Sequence, residues 1–283
     1  MYDRVLGHAT DLKNFVKNSY PQKSLGEYCA TEFLVPLLEG RGLYMELPLK
    51  NKNILGHSFE DQFGISTMIN SNIEEPQRKF FTQAHELGHH LLDPDLLRRN
   101  VDMNLSSDDP MDFEVDYDAE SRANRFAAHL LLPNDVLNVL MLEQVPRKLI
   151  KHTQNVSYST LGYRIENYLV EILQLPRYLA NKLSVGFMTA PPGETKRTAL
   201  TQFWQELSIR KYSNNPTLRV TSAEELAIKY IEHELTANES INGISLNQSS
   251  RGTSNPLELR HLSSLIMPTA EYIDTQDDEL PFD

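Results

Sequence analysis

The sequence predicts an α+β fold, a small sheet packed on helices, followed by a helical segment and a small α/β C-terminal unit. Three observations predict it. Residues 42–70 hold short runs that are β-branched or partly alternating and are bounded by turn residues. The stretches on either side repeat apolar residues at helical spacing. Between the two patterns lies Phe81-Thr82-Gln83-Ala84-His85-Glu86-Leu87-Gly88-His89-His90, flanked by helix formers, with Pro76 at a helix start.

Taken in order, residues 8–18 and 24–38 read as helices. In the second, Leu25, Cys29, Phe33, Leu34, Leu37 and Leu38 form an apolar stripe and Gly40 a stop. Residues 42–48, 57–60 and 63–70 read as strands, and Asn70-Ser71-Asn72 as a turn before the next helix. Residues 93–118 are polar and acidic, with Pro94 and Pro110, and read as a loop rimming a site. A strong helix over 118–132 is ended by Pro133, and 134–183 is helical. Pro191-Pro192-Gly193 is a linker. Ser222-Ala223-Glu224-Glu225 is a capping box opening a helix to Ala237, set between strand-like 217–221 and the segment 241–246. Residues 271–283 carry six acids and no base, as a disordered tail does. The domains expected are 1–140, 141–185, 190–270 and the tail.

Composition narrows the function classes. No apolar run is long enough to span a bilayer, and the N-terminus lacks a basic segment followed by an apolar one, so neither a membrane partner nor a secretory signal is expected. Cys29 is the lone cysteine, which fits a reducing cytoplasm. The net charge of −12 repels nucleic acid at long range. Between 147 and 182 the sign reverses locally, with Arg147, Lys148, Lys151, Arg164, Arg177 and Lys182 against Glu166 and Glu171. That reversal permits nucleic-acid contact, but a packing module is the favoured reading.

The chemistry lies in His85-Glu86-x-x-His89. Residues four apart on a helix stand nearly one above the other, so both imidazoles can face one ion. Two imidazoles suit zinc, although manganese or iron could occupy the same ligands, and Glu86 is placed to act as general base. A third protein ligand is needed, leaving one position open. Glu120 is the candidate, with Asp116 and Asp118 as weaker substitutes. Asn124, one turn on from Glu120, could accept the free N–H of a ligating histidine. His90 and His129 point away from these faces by about 140° and 180°. The strand over 63–70, with Ile65, Thr67 and Ile69, could receive an extended substrate by strand addition. Tyr117 and Tyr158 are candidate oxyanion donors.

The run Arg78-x-Phe80-x-Thr82-x-Ala84-His85-Glu86-Leu87-Gly88-His89, with Glu120-x-x-Ala123-Asn124-x-Phe126-Ala127-Ala128-x-Leu130-Leu131-Leu132-Pro133, resembles the ImmA/IrrE family of metallopeptidases. The resemblance covers about the first half of the chain. It implies a cytoplasmic zinc endopeptidase that cuts a helix-turn-helix transcriptional repressor and so induces DNA-damage, stress or mobile-element genes. It carries over His85, His89 and Glu120 as zinc ligands and Glu86 as catalytic base. Residues 156–165 resemble the helix-turn-helix-like segment that often follows this peptidase. The competing readings are a non-catalytic binding protein and a toxin–antitoxin component. Asp277-Asp278-Glu279-Leu280-Pro281-Phe282 is similar to the acidic tip of bacterial single-stranded-DNA-binding proteins, which implies a DNA-repair partner. Those tips end on phenylalanine, whereas Asp283 follows here.

Overall fold

The computed structural model describes residues 3–49, 54–98, 116–210 and 222–248, with side chains to 208 and, in the last stretch, to 237. Helix α1 (Arg4–Ser19) is capped by Asp3, whose carboxylate accepts from the backbone of Val5 and Leu6. Its buried face is Val5, Ala9, Leu12 and Val16. The stretch expected as one helix over 24–38 is instead a 3₁₀ turn (Leu25–Glu27) followed by α2 (Thr31–Arg41). Glu27 reaches back to the Ser24 backbone and closes a capping box on that short turn.

A three-stranded sheet follows: β1 (Gly42–Leu47), β2 (Gly56–Asp61) and β3 (Gly64–Asn70). Its order is β1-β3-β2, with β1 parallel and β2 antiparallel to β3. The β2–β3 hairpin turns at Gln62-Phe63 into Gly64, whose φ of 115° favours glycine.

Helix α3 (Pro76–Leu92) carries the histidine motif across the sheet and packs most extensively on α4 (Tyr117–Leu131). Gly88 makes that crossing close: a Cβ there would lie 3.0 Å from the Phe126 ring and 3.2 Å from Ala123 Cα. Asp116 caps α4 by accepting from Ala119 N–H at 3.0 Å. Helices α5 (Asn134–Leu142), α6 (Arg147–Thr153), α7 (Tyr158–Glu171) and α8 (Arg177–Thr189) continue the chain.

The described part of the segment expected as a small α/β unit over 190–270 contains helices and no strand. It consists of α9 (Glu194–Arg210) and α10 (Ala223–Gln248), and α10 runs on through 241–246. Ser222 and Glu225 form the expected capping box. Phe187, Phe203, Trp204 and Tyr230 stack into a cluster with centroids 4.6–6.2 Å apart. These residues belong to the same buried cluster as Val5 and Leu34, so α9 and α10 share the main core. The helix face of Leu200, Phe203, Trp204 and Leu207 is buried within that shared cluster. The strand-like 217–221, most of the acidic stretch 93–118 and the tail 271–283 lie outside the described residues.

Arg164, near the end of the helix-turn-helix-like segment, is fully buried. Its guanidinium donates to Leu132 O at 2.8 Å and Asn134 Oδ1 at 2.6 Å, and contacts His129 Nε2 at 3.0 Å. It thereby satisfies the carbonyl end of α4 and fixes α7 against the half that carries the histidines. Arg147 is likewise turned inward, pairing with Glu234 at 3.0 Å, while Arg177 lies 4.0 Å from Glu166.

Candidate active site

His85 and His89, one turn apart on α3, and Glu120, in the first turn of α4, converge. His85 Nε2 lies 3.0 Å from His89 Nε2 and 3.2 Å from Glu120 Oε2, and His89 Nε2 lies 3.3 Å from Glu120 Oε1. Ligand atoms on a tetrahedral zinc bonded at about 2.0–2.1 Å sit about 3.3–3.4 Å apart. The three residues therefore fit such an ion in type and in spacing, and they are the one such group among the described residues. Asp116 and Asp118 do not join them: Asp116 caps α4 and Asp118 is exposed on it.

The outer nitrogens of both imidazoles face oxygen atoms, as ligating histidines require. His85 Nδ1 meets Asn124 Oδ1 at 3.0 Å. His89 Nδ1 faces Asp93 Oδ2 at 3.8 Å, too long for a hydrogen bond, and both atoms are otherwise unpartnered. Asp93 is in turn held by Arg122 Nε at 3.0 Å. Burial alone would pull the His89 pKa down, but Asp93, Glu120 and Glu86 outweigh it and raise it to about 9. The two histidines hold the Glu120 carboxyl well below the usual carboxylate range. Asp93 was not a sequence candidate. Its signal was its place four residues after His89, on the same helix face.

Glu86 is buried, 4% exposed, against β2. Its Oε2 accepts from Ser58 Oγ at 2.7 Å. Ser58 also meets Thr67 Oγ1 at 3.1 Å and His90 Nε2 at 3.1 Å, and Thr67 meets His90 Nε2 at 2.9 Å. Burial, aided by Arg41 and His89, pulls the His90 pKa down to about 3, so the ring is neutral in this network. The backbone of β2 passes so close that a Cβ on Gly56 would lie 2.6 Å from Glu86 Oε1. Neither Ser58 nor Gly56 could have been found from local spacing, because both reach Glu86 through tertiary packing.

β3 was expected to bind substrate through Ile65, Thr67 and Ile69. It is the central strand, hydrogen-bonded on both edges, so it cannot accept another strand. Thr67 is in the Glu86 network and Ile69 is fully buried. Among the described residues, the free sheet edge beside Glu86 is that of β2. Of the two tyrosines, Tyr117 lines a cleft of about 710 Å³ that includes Glu120 and Asn124, while Tyr158 lies under the Lys151 ammonium. His129 is buried with Arg164, away from the cluster.

No described helix is long and apolar enough to cross a membrane. No curated protein matches the chain. Residues 43–166, from the second residue of β1 into α7, match the family model of the IrrE N-terminal-like domain, Peptidase_M78. That stretch, a little under half of the chain, holds every residue of the cluster, and over it the chain is similar to the ImmA/IrrE family of metallopeptidases.

Proposed function

We propose that the chain is a zinc-dependent endopeptidase, with His85, His89 and Glu120 as ligands and Glu86 as general base. The convergence of two imidazoles and a carboxylate at tetrahedral spacing carries the reading. Three protein ligands with an adjoining cleft match a catalytic rather than a closed structural site. Zinc, when bound there, supplies Lewis-acid polarisation and lowers the pKa of water toward ~7. Ser58 occupies Oε2 of Glu86, so Oε1 is the oxygen that takes the proton of the attacking water. Glu86 then returns that proton to the leaving amine. Asn124 engages the outer nitrogen of His85 and so orients that ring, while the Asp93 carboxylate faces the outer nitrogen of His89 at 3.8 Å. An extended peptide pairs with the outer edge of β2, where its backbone passes Glu86.

The substrate we propose is a helix-turn-helix transcriptional repressor, whose cutting induces stress, DNA-damage or mobile-element genes in the cytoplasm. The similarity of residues 43–166 to that family supports this. The inward-turned Arg147 and Arg164 favour a buttressing role for α6 and α7 over nucleic-acid contact. In the test, the zinc-loaded protein is incubated with the repressor encoded by the adjacent gene, and fragments are mapped by mass spectrometry. Wild type should give a defined cut and Glu86→Gln none. An uncut repressor with active wild-type enzyme would remove that substrate assignment.

A further inference from the structure

We infer that Arg78 forms a specificity subsite for an acidic substrate side chain, about three residues to one side of the scissile bond; this rests on the peptidase reading above. Arg78 and His85 are seven residues apart on α3, so they share a face to within about 20° and stand about 10 Å apart along the axis. An extended peptide advances about 3.3 Å per residue, so that separation is about three residues. The cleft beside Glu120 and Asn124 continues to Arg78 and is one space with them.

Arg78 is exposed, and no carboxylate among the described residues lies within ion-pair distance of it. Glu75 lines the same cleft about 4.5 Å before Arg78 along the axis and about 60° round the helix, on the side away from His85, and makes no ion pair with Arg78. Facing Arg78, the cleft wall on α7 presents the exposed Ser159 and Tyr163 hydroxyls. An exposed arginine with neutral hydroxyl donors nearby matches a carboxylate in charge and geometry, and would repel a lysine or arginine side chain. In a chain of net charge −12, Arg78 is the one cationic side chain lining that cleft among the described residues, and it sets preference there.

The test is to incubate zinc-loaded full-length protein with a degenerate synthetic peptide library and read the cut sites by mass spectrometry. Wild type should enrich Asp and Glu about five-fold at the third residue on one side of the cut, the factor a partly exposed ion pair gives. Arg78→Gln should lose the enrichment, and Arg78→Glu should replace it with Lys and Arg at the same position. Cutting without acidic enrichment there, or an unchanged preference in Arg78→Glu, overturns the subsite and leaves the peptidase reading intact. If wild type cuts nothing, the peptidase reading falls and binding decides the subsite. Dye-labelled peptides carrying Asp or Lys are then titrated into zinc-loaded Glu86→Gln protein. The Asp peptide should bind about five-fold tighter, with the order reversed in the Arg78→Glu background; equal affinities overturn the inference.

Discussion

Gly56 has no side chain, yet it sets where Glu86 sits. A methyl group there would meet Glu86 Oε1 at 2.6 Å and Thr82 Cγ2 at 2.7 Å, so one of them must move. If Glu86 is the base and not a ligand, as proposed, Gly56→Ala should keep zinc and lower kcat by about 10- to 100-fold, the loss expected for ångström-scale misplacement. Metal analysis beside steady-state kinetics checks this. His129 makes a separate residue-scale prediction. Burial, with Arg164 and Arg125, pulls its pKa down to about 2, whereas an unfolded histidine titrates near ~6.5. Between those values the unfolded chain binds the extra proton, so this contribution to stability is full above about pH 6.5 and is lost as pH falls toward 2. At about pH 5 the loss is about 2 kcal/mol, and His129→Gln should remove that part of the slope in urea titrations. The sequence made His85, Glu86, His89, Glu120 and Asn124 visible because each lies at a helical offset from another. Gly56 and Ser58 were invisible because β2 reaches Glu86 only in the folded chain.

At the scale of elements, α3 and α4 were legible from helical periodicity and Pro133. The 3₁₀ turn before α2 was not, since Leu25 and Cys29 extend the apolar stripe backwards past the true start. The strand runs were legible too, but their order was not, and order is what excludes β3 from strand addition. Its amides should therefore exchange with solvent more slowly than those of β1 and β2, measured by hydrogen exchange; faster exchange in β3 would contradict the sheet order. α7 is tied to α4 by a buried arginine rather than by apolar contact alone. Arg164→Ala leaves Leu132 O and Asn134 Oδ1 without their donor and opens a cavity. It should cost about 3 kcal/mol, read as a lowered urea midpoint.

For the whole molecule, one buried cluster joins α1 to α10, so the helices that carry His85, His89 and Glu120 and the aromatic cluster belong to one cooperative unit. The C-terminal helices were hard to read because α9 and α10 carry weak amphipathic patterns and depend on partners distant in sequence. Trp204, the single tryptophan, sits in that cluster and reports on it. Zinc should raise the urea midpoint seen by Trp204 fluorescence, because an ion that binds the folded chain stabilises all of that unit. The most direct test of the central claim is zinc stoichiometry in dialysed protein, measured together with cleavage. The account predicts one zinc per chain in wild type and in Glu86→Gln, with cleavage lost only in the latter, and loss of both in His85→Ala and Glu120→Ala. Full zinc retention without Glu120, or wild-type cutting by Glu86→Gln, would contradict it.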